Sequence, residues 1–334
     1  MATGMTQRQL ARAARISLGT LRDFEQGRTR SLRPAVLAKL AAVPGFEPAQ
    51  RPDRAPADAE RIRIAVLGPL TAWRDNAQLA LGSARQRGVL GLLALHWGTS
   101  LHREAIIDAL WGKSPPASVV TEVQGYVSRL RKLSGREHGA ESAGHFIATV
   151  GTSYQLTVDA DQLDCAMFGQ LLRRGWDAHA GENPVLACAL YRRALDLWRS
   201  PILVDLDLLR QHPAVTALSC KRSEAVLLYA AAAELAGAHG QVLSHLRDLC
   251  ASEPFNEHAH AHLMIALAAT GQQAAALQIF TDTRRRLDRE LGVRPSAKLA
   301  EAHTRVLRQQ IGALSQLSRT GRCFTCSRPP ARAG

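Results

Sequence analysis

Between Ala117 and Leu133 the chain reads ASVVTEVQGYVSRLRKL. At a helical period Val119, Val123, Val127 and Leu130 share one face, with Tyr126 and Leu133 at its margin. The opposite face carries Thr121, Gln124, Gly125, Ser128, Arg131 and Lys132, and Arg129 adds a further cation near the C-terminal end. An amide, two hydroxyls and cations bind rather than react. They match the edges of bases and the oxygens of phosphates: glutamine suits adenine, and arginine or lysine suits guanine or phosphate. At least two of Arg129, Arg131 and Lys132 are expected at phosphates. An ordinary amphipathic helix with a solvated charged face shows the same pattern, so its surroundings must decide.

Other groups that could do chemistry are poorly placed for it. Gly112-Lys113-Ser114 matches the end of a phosphate-binding loop, but that motif's first glycine would fall at Ile107, and the stretch follows a helix rather than a strand. His258 and His262 share a helical face while His260 points away, with no evident carboxylate support for a metal. Cys323 and Cys326 form a lone CxxC without two further ligands nearby. Cys165, Cys188, Cys220 and Cys250 sit in apolar helical contexts and are expected in the core of a protein from a reducing compartment. Arg284, Arg285 and Arg286 lie beside Asp282 and Asp288, as on a solvated helix face. No nucleophile–base arrangement stands out, so no catalytic residue, cofactor or metal is expected, and the chain is not read as an enzyme.

The elements that position the helix follow from the rest of the chain. Its 334 residues suggest two or three domains, and 46% hydrophobic with only 5% aromatic residues suggests Leu/Ala-rich helices. No apolar run is long enough to span a bilayer, and no signal peptide is recognisable; a cytoplasmic protein without membrane contact is expected. The net charge of +13 is uneven. Residues 1–61 carry an excess of five positive charges, 62–158 an excess of four, 159–312 none, and 313–334 again four. A basic front beside a neutral helical region points to an anionic partner, nucleic acid before membrane.

Residues 1–43 read as short helices, with Thr6 and Ser17 as caps and Gly27 as a stop. Prolines at 44, 48, 52 and 56 mark a linker over 44–60. RIRIAVLG alternates as a strand, and short strands continue through LTAW and QLAL. Ser83 opens ARQRGVLGLLALH, HREAIIDALWG stops at Gly112, and the helix from Ala117 is the third. HFIATV and SYQLTV around Gly151-Thr152 form a hairpin. Strands, three helices and a terminal hairpin make a winged helix over 61–158. From Asp164 to about Ile311, Ala-rich helix pairs recur, with Gly240 and Gly271 each ending a helix; this is tetratricopeptide-like logic over 159–312. Residues 313–334 are expected to be disordered. The fold class is mainly α: an α/β winged helix-turn-helix, then an all-α helical-repeat domain.

The residues RIRIAVLGPL, LGSARQRGVLGLLAL, HREAIIDALWG, TEVQGYVSRLRKL and SYQL, in this order, resemble the Streptomyces antibiotic regulatory protein (SARP) family, which begins with an OmpR-type winged helix. LDCAMF, DLWRSP, SEPFNEHAHAHLMIALAATGQQAAAL and RELGVRPSAKL resemble the bacterial transcriptional activation domain that follows it. TQRQLARAARISLGTLRDFEQGR resembles the Cro/repressor-like helix-turn-helix, here partial. The resemblance implies that 117–133 is the recognition helix and 145–158 the wing. It further implies an activator of a secondary-metabolite gene cluster that binds promoter direct repeats in double-stranded DNA, as a dimer there, and recruits RNA polymerase. A helical-repeat scaffold without specific DNA binding, or a repressor, stays open as an alternative.

Overall fold

A computed structural model describes residues 61–74, 76–133 and 146–311, which all fall in one unit beginning at Glu60. The expectations for residues 1–43, 44–60 and 313–334, and for the CxxC pair, lie outside the described residues. Ile62 and Ile64 point inward and Arg63 outward, so β1 (Ile62–Ala65) buries one face of its pleat. It pairs antiparallel with β2 (Thr71–Arg74), and β2 with β3 (Ala77–Gln78). Helix α1 (Ala84–Leu95) starts where the Ser83 hydroxyl accepts from the Gln86 backbone N–H at 3.3 Å. After β4 (Leu101–His102), helix α2 (Arg103–Trp111) ends at Gly112, whose φ of +61° suits glycine. Helix α3 (Val119–Lys132) follows, then the hairpin of β5 (Ile147–Val150) and β6 (Ser153–Leu156).

This is a winged helix, as expected from the order of strands and helices. One strand was not foreseen. Two residues, Leu101 and His102, pair with Tyr154 and Ser153, so the hairpin belongs to a three-stranded sheet of order β4-β6-β5. A two-residue strand leaves no alternation to detect. The third helix also begins two residues later than Ala117, after Ser118.

Helices α4 (Asp164–Ala180), α5 (Pro184–Leu195), α6 (Pro213–Ala236), α7 (Leu243–Ser252), α8 (Glu257–Ala269), α9 (Gln273–Arg286) and α10 (Ala297–Leu307) form the second region. Successive helices pack as pairs, with Tyr191, Tyr229, Leu246 and Met264 in the shared core. Gly175 on α4 admits the Tyr191 ring from α5; a Cβ there would lie 2.6 Å from the ring. Two expectations are corrected. Helix α6 ends at Gly237, left-handed at φ +67°, while Gly240 lies in a short 3-10 turn. Gly237 is the first glycine the alanine run meets, and its N–H reaches the Ala233 and Glu234 carbonyls. Cys220 is exposed rather than core, whereas burial pushes the Cys188 thiol up to about 11 and Cys250 to about 12, leaving both protonated near neutrality.

The boundary expected at 158–159 is crossed by a common core. Residues 196–212, between α5 and α6, run as irregular chain with one short 3-10 turn. Ile202, Leu203, Leu206 and Leu209 from this segment are buried beneath α1 of the winged helix. Burying four such side chains is worth about 6–12 kcal/mol before entropy, as large as a domain's net stability. Polar ties fix the register. The Asp164 carboxylate accepts from the Val66 N–H at 2.8 Å and the Leu67 N–H at 2.9 Å. Leu203 N–H donates to the Gly68 carbonyl at 2.8 Å, and Asp205 accepts from Leu70 N–H at 2.9 Å while pairing with Arg87. The winged helix and the helical pairs therefore meet as one packed body.

Candidate nucleic-acid interface

Helix α3 buries Val119, Val123, Val127 and Leu130 against α1 and α2, the stripe that the helical period picks out. Thr121, Gln124, Ser128 and Lys132 are exposed, and Gly125 is half-buried. At 100° per residue, Thr121, Gly125, Ser128 and Lys132 run along the outer face, with Gln124 turned toward one flank. Inside the helix, Glu122 accepts from the Ser118 hydroxyl at 2.8 Å. Its last turn is closed by Arg74 of β2, which donates to the Leu133 carbonyl at 3.2 Å, a cation at the negative end of the helix.

The two arginines of α3 bracket the outer face. Arg131 turns to the wing: its Nε donates to the Ile147 carbonyl at 2.9 Å and its Nη2 to the Thr149 hydroxyl at 2.6 Å. Arg129 turns the other way, donating from Nε to Gln86 Oε1 on α1 at 2.9 Å, with its guanidinium 5.0 Å from the Tyr126 ring centre. Tyr126 stacks on Trp111 of α2 at 6.4 Å, and Arg85 of α1 lies over Trp111 at 5.1 Å. Arg131 is thus half-buried with Nε and Nη2 engaged at the wing, Arg129 is exposed although its Nε is tied to α1, and Lys132 is exposed on the outer face. Sequence periodicity offers no hint of the hydrogen bonds of Arg129 and Arg131, because they span between 16 and 43 residues. Gln86, Arg85, Trp111 and Arg74 were absent from the expected site; an amide buried in an apolar helix was the one available signal.

The wing is fixed at its tip as well. Gly151 takes a φ of +60° at the turn, and the Thr152 hydroxyl lies 2.7 Å from His102 Nε2. His102 Nδ1 faces the Glu104 backbone N–H at 3.3 Å, capping α2, so Nε2 carries the proton and donates to Thr152 when the ring is neutral. Val150, 51% exposed, stands beside the turn. Residues remote from this face behave as packing groups. His260 Nδ1 lies 3.0 Å from the Asn256 carbonyl of its own helix. Among the described residues no group of three or more His, Cys, Asp or Glu could hold a metal ion, and no helix is long and apolar enough to cross a membrane.

A helix offering an amide, hydroxyls and cations, flanked by a wing and carried on stacked helix pairs, is a winged helix joined to a helical region. A model of the bacterial transcriptional activator domain matches residues 163–307, and one of a helix-turn-helix domain matches residues 1–53. The regulatory protein DnrI of Streptomyces peucetius is 34% identical over 75% of this chain and 94% of its own length. The regulatory protein AfsR of Streptomyces griseus is 34% identical over 78% of this chain, which spans only 26% of AfsR. A solved structure of Mycobacterium tuberculosis EmbR in complex with a low-affinity phosphopeptide is 29% identical, with a TM-score of 0.66 over 75% of this chain and 65% of that one. The chain belongs to the SARP family of transcriptional regulators.

Proposed function

We propose that this protein is a sequence-specific DNA-binding activator of a secondary-metabolite gene cluster. It binds direct repeats near promoters, two copies on one site, and recruits RNA polymerase through the helical region. The observation that carries this reading is α3: its inward stripe is buried while Thr121, Gln124, Gly125, Ser128 and Lys132 form an outer face on which, among the described residues, no other helix or strand is packed. In the complex this face lies in the major groove, Gln124, Thr121 and Ser128 meet base edges, and Lys132 meets phosphate. The hairpin lies along the adjoining backbone. Since the winged helix shares a core with the helical pairs, DNA contact also sets where those pairs point.

Gel shift and footprinting on promoter fragments from the surrounding gene cluster, with excess random competitor, test this. Protection of a repeated element that survives competitor is expected. Equal affinity for all fragments would favour the scaffold reading instead. A protected site at which added protein lowers transcription by purified polymerase would make the protein a repressor.

A further inference from the structure

Gln86 is one of three buried polar side chains among the described residues, at 6% exposure, and it sits on α1 rather than on α3. A buried amide is costly unless its hydrogen-bonding groups are met. Its Oε1 is met by Arg129 Nε at 2.9 Å. The Tyr126 ring supports the same guanidinium from one face. Gly125 leaves room beside it: a Cβ there would lie 3.6 Å from Arg129 Nη1 and 3.8 Å from Nη2. Among the described residues no carboxylate pairs with Arg129. The guanidinium is thus anchored by its inner nitrogen and exposed at its outer edge.

Resting on the reading that α3 faces DNA, we propose that Gln86 is a positioning residue for recognition. By accepting from Nε, it orients Arg129 so that Nη1 and Nη2 meet two adjacent acceptors of the duplex. These are either N7 and O6 of a guanine or two oxygens of one phosphate, since both present the same spacing to a guanidinium fork. A long arginine side chain loses rotamer freedom when it binds, and an anchored one has lost it already. The glycine at 125 belongs to the same device, because the outer edge of the fork lies beside it.

The test is a double-mutant cycle on the full chain, read as affinity for the footprinted operator and for random duplex at several salt concentrations. Gln86→Met weakens operator binding by about tenfold, the scale of one compromised bidentate pair. In the Arg129→Ala background the same change has no further effect, because Gln86 acts through Arg129. A loss of equal size in both backgrounds would show that Gln86 only packs, and no loss in either would also overturn the proposal. Arg129→Lys leaves the buried amide in place and keeps the charge. It is expected to bind more weakly than the wild type because a point charge cannot meet two acceptors at once, and wild-type affinity would show that the fork is not used. If Arg129→Ala costs more on operator than on random DNA, the acceptors are a guanine. If it costs the same on both and shallows the salt slope by about one, they belong to a phosphate. Wild-type protein that binds no duplex would overturn the reading of α3 itself, which no single variant can do.

Discussion

Two helices of similar length, α3 and α8, are built on opposite terms. α3 buries four valine and leucine side chains along one stripe and leaves an outer face of hydroxyls, an amide and a lysine. α8 buries Ala259, Ala261, Leu263, Met264, Ile265, Ala266 and Leu267 around most of its circumference, enclosed by α6, α7, α9 and α10. A helix apolar all round holds a core together, whereas one with a single apolar stripe leaves its other face to solvent or to another molecule. The polar groups differ in the same sense. α8 keeps His262 neutral: desolvation pushes it down to about 4, with the charges of Lys298, His258 and Arg305 acting the same way against Glu234. α3 displays its polar groups and holds its two arginines against neighbouring elements.

The largest effect should come from breaking α8. Met264→Ala leaves a cavity where a whole side chain was packed and is expected to cost about 2–5 kcal/mol of stability, read by denaturant unfolding. The outer face of α3 should respond the other way round. Gln124→Ala combined with Ser128→Ala is expected to shift stability by no more than about 0.5 kcal/mol, while operator binding weakens by about 1–3 kcal/mol for each side chain that pairs with a base edge. Unfolding and titration of the same sample decide it; a large drop in melting temperature would place those side chains in the fold rather than at DNA.

Acidification should separate the two helices next. The folded pKa of His262 lies below its ordinary 6.5, so between about pH 6.5 and 4 the unfolded chain takes up the proton that the folded chain refuses. Its contribution is fully present above pH 6.5 and is lost as pH falls through that window. A melt series is expected to show a shallower acid slope for His262→Asn than for the wild type; parallel slopes would contradict the burial argument.

The smallest effect lies at Gly125. Helical glycine costs about 0.5–1 kcal/mol relative to alanine, and the added methyl would meet only Arg129 at ordinary van der Waals distance. Gly125→Ala is therefore expected to raise the melting temperature by about 1–4 °C. If the outer edge of Arg129 is used on DNA, operator affinity falls at the same time. A stabilised variant with unchanged affinity would leave the glycine without a part in recognition.

Much of this was legible in the chain. The buried stripe of α3 follows from valines and leucine at helical spacing, α1 starts at Ser83, and α2 stops at Gly112. These depend on neighbours within a turn or two, where period and caps act. The strand β4 was invisible because two residues carry no period, and Gly240 was preferred to Gly237 although the helix stops at the first glycine it reaches. The segment 196–212 carries leucines without a regular repeat, so nothing local marks it as part of the winged helix's core.

The sequence by itself determined the apolar stripe of α3, the caps at which α1 begins and α2 ends, and how charge divides between a basic front and a neutral helical region. Those properties are sums over adjacent side chains. Only the tertiary structure decided that Arg131 reaches the wing, that Arg129 reaches Gln86, and that Asp164 and Asp205 bind backbone N–H groups some hundred residues away. A guanidinium or carboxylate can satisfy its hydrogen bonds in water as well as in protein. Which partner it takes is settled when packing of the apolar stripes brings distant chain together and shuts the water out.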